Sequence, residues 1–147
     1  MWKSFRHKLQ TARQLSPGDW LSLAEAWWVL LGFHLALGWV KLDRLEAFTR
    51  PAQEKSAVPP EALARAWQRQ RQVSMAARLH LLSMTCLPRA LTLRWILGRG
   101  SIPAQLCIGM NKTSTGIYAH AWVDVAGEAI GEPEDISERF KILKGSV

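Results

Sequence analysis

The chain has 147 residues, 48% of them hydrophobic and 21% charged, which supplies one folded domain with a real core and argues against a disordered chain or two independent domains. Nineteen basic against 12 acidic side chains give a net charge of +7, which favours an anionic partner without naming one. Two cysteines, four scattered histidines and no Cys-x-x-Cys exclude a disulfide framework and a zinc-ligand spacing, so no metal or cofactor is expected and a reducing cytoplasm is the simpler setting.

Eight tryptophans are unusual for this length, and they suit a core plus a surface that meets a peptide, a partner or a membrane. After the basic start Met1 to Lys8 comes a polar gap, with no small-residue cleavage site behind the next apolar run, so no signal peptide is expected. Ser16-Pro17-Gly18-Asp19 reads as a turn and helix start, with Trp20, Leu23, Trp27, Leu30, Leu31 and Leu35 at helical spacing through about Val40. The apolar part, Ala26 to Val40, is shorter than the ~20 residues a spanning helix needs, so burial against the fold or a partner is expected and membrane contact is not favoured.

A short helix from Lys41 to Thr49 ends before Pro51, and the polar, proline-bounded stretch from Pro51 to Pro60 is the best candidate boundary. It divides an N-terminal helical extension, residues 1–55, from a catalytic domain, residues 56–147. A third helix is expected from Pro60 to about Met84, apolar on one side and rich in Arg and Gln on the other. The chain then breaks at Met84-Thr85-Cys86-Leu87-Pro88, because Pro disfavours helical geometry in the residue before it and suits the first turn of a new helix. That helix runs to about Leu97 and stops at Gly98-Arg99-Gly100. Basic residues thicken from Arg65 to Arg99 while the last 25 residues are rich in acid, a gradient that solvated helix faces explain.

The periodicity then changes to strands. Ala104 to Met110 is a short apolar run, and Ile117 to Val125 alternates, with His120 on the face of Tyr118, Trp122 and Asp124. A tight loop at Ala126 to Glu128 leads to a partner strand from Ala129 to Glu132. Helices first and an antiparallel meander after make an α+β fold.

A thiol attacks as thiolate, and a helix N-terminus favours that form through the macrodipole. Cys86 stands where such a helix begins, though a small buried hydrophobe occupies such a place equally well. Cys107, in the middle of an apolar strand, reads as core. A lone strand histidine is more often packed or exposed than catalytic, but a helix-start Cys followed by a strand His is the order used by papain- and transglutaminase-type enzymes, which makes His120 the candidate base. Asp124 lies on the same face as His120 about 13 Å along the strand, beyond contact. A three-residue loop would pair Trp122 with Glu132 and set Glu132 diagonally beside His120, whereas a two-residue loop would pair Ala121 with Glu132 and turn it to the wrong side. Glu132 is thus conditional on the loop, with Glu134 and Asp135 behind it.

Cys86-Leu87-Pro88-Arg89-Ala90-Leu91, Gly100-Ser101-Ile102-Pro103-Ala104, Ile108-Gly109, Ala119-His120-Ala121-Trp122-Val123 and Gly131-Glu132 together resemble the transglutaminase-like leader peptidases of lasso-peptide biosynthesis. The resemblance covers about Leu82 to Phe140. It implies a papain-like cysteine peptidase core whose triad of nucleophile, base and acid falls on Cys86, His120 and Glu132, where many members carry Asp in the third place. It also implies removal of a leader from a ribosomal precursor peptide, working with an ATP-dependent cyclase. Residues 1–55 read as helices and are too few for the winged-helix-like leader-recognition module fused to some members, so that protein is expected as a separate chain. The helices Trp20–Val40 and Leu63–Leu82 are the expected docking surfaces for it, for the leader or for the cyclase. Acyl transfer to an amine and a non-catalytic peptide- or membrane-binding adaptor are the alternative readings. Nucleic acid is not expected as a partner, because no aromatic-basic stripe accompanies the charge.

Overall fold

The computed structural model describes residues 16–51 and 58–144. The readings made on the first fifteen residues, and on most of the proline-bounded stretch, lie outside them.

Ser16 opens helix α1 (Pro17–Ala36) with a reciprocal cap: its hydroxyl oxygen accepts the Asp19 N–H at 3.2 Å, and the Asp19 carboxylate accepts the Ser16 N–H at 3.0 Å. The Asp19 carboxylate also accepts the Ser16 O–H at 2.8 Å, and this bond first, with the Ser16 N–H second, holds the Asp19 carboxyl below its ordinary value. α1 ends at Ala36, short of the expected Val40, and α2 follows at Leu42–Thr49. Helix α3 spans Pro60–Leu79, several residues less than its apolar pattern suggested. His80 leaves the helix in an extended conformation, and its Nδ1 accepts the Leu82 N–H at 3.3 Å while its ring stacks on Trp27 at 4.3 Å. The segment from His80 to Thr85 is therefore an irregular bridge pinned to α1. Helix α4 (Cys86–Arg99) then starts at the cysteine, with Pro88 inside its first turn.

α4 is the centre of the molecule, packing against α1, α2 and α3 on one side and strands β1 (Gln105–Thr113) and β2 (Gly116–Val125) on the other. One hydrophobic core runs from Leu23, Leu30 and Leu45 through Ala66 and Val73 to Leu91, Leu97, Val123 and Val125, so residues from both sides of the proline-bounded stretch share it. Arg94, almost fully buried, ties the layers by donating to the backbone carbonyls of Ala104 at 3.2 Å and Glu46 at 3.4 Å. The far side of α1 stays exposed, with Trp20 49% and Trp28 65% accessible, and Trp39 in the turn after it is 92% accessible. No helix among the described residues is long and apolar enough to cross a membrane.

The antiparallel sheet has the order β3-β2-β1-β4, where β3 is only Glu128–Ala129 and β4 is Lys141–Lys144. The expected three-residue hairpin loop is not formed. Val125 pairs with Glu128 and Asp124 with Ala129, so the loop is Ala126-Gly127, both with left-handed φ of 56° and 84°. That is the primed turn whose twist matches the strands. The expected partner strand to Glu132 is correspondingly cut short. Ile130 N–H still bonds Val123 O at 2.9 Å, then Gly131 takes φ 82° and Glu132 N–H closes a turn on Ala129 O at 3.4 Å. A short helix α5 (Ile136–Arg139) brings the chain across to β4 on the opposite edge, beside β1. A plain meander was expected; β4 adds a return across the sheet. Its second face is covered by a smaller cluster of Cys107, Trp122 and Ile136, flanked by Phe140 and Ile142.

Candidate active site

Because β3 is so short, β2 is an open edge at His120, and only the half of β2 after it is buried. The first residue of α4 comes against this edge. A small cleft of about 40 Å³, room for about one water, is lined by Cys86, Arg89, His120, Trp122, Ile130 and Glu132, together with Gln70 from α3.

Cys86 is half-buried and free, at the first helical position, and no side chain caps this helix start. The first N–H groups of a helix lack intrahelical partners, so those beside the thiol remain available to an oxygen in the cleft. Cys107, likewise in no disulfide, is buried in the second cluster, on the face turned from α4.

His120 Nε2 lies 3.1 Å from Glu132 Oε1, with the two side chains 26% and 21% exposed. This leaves the other ring nitrogen, Nδ1, free of the carboxylate. The ring lies against Trp122, nearly parallel at 6.0 Å, and Phe140, tilted at 5.5 Å. Gly109, the register partner of His120 on β1, makes that packing possible: a Cβ there would meet Phe140 Cβ at 2.8 Å and the Trp122 ring at 2.9 Å.

Glu132 reaches His120 despite the two-residue loop that was expected to turn it away, because it does not continue the strand. The left-handed Gly131 bends the chain after Ile130 and swings the carboxylate back over the sheet edge. Gly131 also lies under the Gln70 side chain, whose Cγ and Cδ would come within 2.6 and 2.7 Å of an added Cβ. Asp124, by contrast, accepts the Gly127 N–H at 2.8 Å and serves the turn. Glu134 and Asp135 are exposed on the approach to α5.

Two contributors were not legible in the sequence. Gln70 sits on a helix face that reads as solvated, and Phe140 precedes a strand too short to recognise. The only signals were glycines, Gly131 and Gly109, each marking a close approach.

A family model described as the transglutaminase-like superfamily matches residues 27–144. The chain belongs to the transglutaminase-like superfamily. The match runs from within α1 to the end of β4, so the N-terminal helices are included in it. The superfamily is one of cysteine-based enzymes in general, and the α+β arrangement of helices on an antiparallel sheet is the one expected of it. No curated protein and no solved structure gave a significant match.

Proposed function

We propose that this transglutaminase-like protein is a cysteine endopeptidase that removes the leader from a lasso-peptide precursor. The observation that carries the catalytic part is the cleft that holds Cys86, His120 and Glu132 together, with the imidazole fixed to the carboxylate at 3.1 Å. The motif set around Cys86, His120 and Gly131-Glu132 supports the choice of substrate.

In this reading Glu132 accepts the Nε2–H of His120 and sets the tautomer, so that Nδ1 takes the Cys86 proton. The thiolate attacks the carbonyl at the leader–core junction, and the oxyanion is met by the free N–H groups at the start of α4 and by the Gln70 amide. The protonated imidazole then gives its proton to the leaving amine, which becomes the core N-terminus. Water, deprotonated by His120, attacks the thioester and releases the leader as an acid. The recognition protein and the cyclase act as separate chains, the exposed Trp face of α1 being available to one of them.

The test is mass spectrometry of a lasso precursor incubated with this protein and a leader-binding protein. Free leader and free core are expected, and Cys86→Ala should yield neither. Intact cleavage by Cys86→Ala would overturn the proposal, and a leader joined to an added amine would reassign the enzyme to acyl transfer.

A further inference from the structure

Arg89 belongs to the motif that begins at Cys86, yet the triad leaves it without a task. It sits in the first turn of α4, where a cation opposes the positive end of the helix dipole. Its Nη2 donates to Ser74 Oγ of α3 at 2.9 Å, which fixes the guanidinium between the two helices. Glu132, the carboxylate of the same cleft, is engaged by His120.

Arg89 also lines a second cavity of about 500 Å³, between the end of α3 and the bridge from His80, and is the residue that this cavity shares with the thiol cleft. Its other lining groups include Ser74, Arg78, Leu82 and Met84, and none of its lining residues is acidic. The wall is fixed rather than loose, since the bridge is held by the Trp27 stack and the Leu82 N–H. Among the described residues neither Arg78 nor Arg89 has a carboxylate partner. Two guanidiniums without a carboxylate partner thus line a groove that meets the thiol cleft at Arg89, and a guanidinium fork suits a carboxylate.

We infer that this groove receives the substrate chain on one side of the amide that Cys86 attacks, and that Arg89, assisted by Arg78, pairs there with an aspartate or glutamate side chain of the substrate. The inference rests on Cys86 as the nucleophile, but its test reads the thiol and not hydrolysis.

Three thiol-reactive probes decide it: iodoacetyl-Gly-Asp-Gly-amide, iodoacetyl-Gly-Asn-Gly-amide, and the Asn probe with a free C-terminal carboxylate. Cys107 is 1% exposed, so Cys86 is the thiol followed, with the site checked by peptide mapping. The Asp amide is expected to alkylate Cys86 about fivefold faster than the Asn amide at low ionic strength, and the ratio should fall to ~1 in Arg89→Gln while Arg89→Lys keeps part of it. If Arg89→Gln does not fold, loss of the wild-type ratio on raising salt to about 0.5 M serves in its place. Equal rates for the two amides, or a preference that survives Arg89→Gln or high salt, would overturn the subsite. Acceleration by the free C-terminal carboxylate alone would overturn the internal acidic residue in favour of a chain end. A precursor that is never cut, with the Asp preference intact, would sink the peptidase reading and leave the anion subsite standing.

Discussion

Cys86 and Cys107 stand on consecutive elements, α4 and β1, and share almost nothing else. Cys86 begins a helix, half-buried, at a cleft with an imidazole and a carboxylate. Cys107 lies within a strand, buried, packed with Trp122 and Ile136. The contrast teaches that a thiol's chemistry here is set by its neighbours and by backbone position, while the residue type is the same. The two regions are also connected. Trp122 packs with Cys107 and also stacks with the His120 ring, so the buried thiol's cluster is part of what holds the imidazole.

The sharpest break of this comparison comes from removing each thiol. Cys86→Ala should lower precursor cleavage by at least ~1000-fold, whereas Cys107→Ala should leave turnover within about twofold and cost ~1–2 kcal/mol in a urea titration. Next come the two carboxylates near His120. Glu132→Ala is expected to lower kcat by about 100-fold by freeing the imidazole, and Asp124→Ala by less than about threefold, with ~1 kcal/mol lost from the turn it holds. Equal effects on kcat would remove Glu132 from the reaction.

Gly109→Ala tests the connection between the regions. A Cβ there must push apart Phe140 and Trp122, so a loss of about 2–3 kcal/mol is expected, with slower alkylation of Cys86 as His120 loses its support. An unchanged melting temperature would mean that the aromatic packing is dispensable. The smallest effect is expected at Asp19, remote from both thiols. Its carboxyl is held below the ordinary aspartate value in the folded chain, so the stability it contributes is present above that ordinary value and is lost as pH falls through the lowered folded value. Asp19→Asn should flatten the pH dependence of stability in that acid window and leave the pH–rate profile near neutrality unchanged.

Much of this was legible in the sequence where local chemistry decides structure. Pro88 after an apolar helix announced the restart at Cys86, and the alternation around His120 announced its strand. Glu132 is expected beside His120 for a reason the structure does not use: the hairpin closes on two residues, and Gly131, not strand register, delivers Glu132. A turn of that kind depends on what crosses over the glycine, here Gln70 from a distant helix, which no local pattern encodes. β4 was missed for a related reason. Lys141–Lys144 is a four-residue strand with weak patterning, and it pairs with β1 across the sheet because α5 carries it there.

The short β3 has a consequence for the order in which the molecule is built. The β1–β2 hairpin is local and closes early, but the thiol meets the imidazole only when α4 docks on that hairpin, a contact that carries a larger loop-closure cost. Selective alkylation of Cys86 over Cys107 would then report the docking of α4 on the hairpin. A stopped-flow labelling trace should lag behind the recovery of helical circular dichroism.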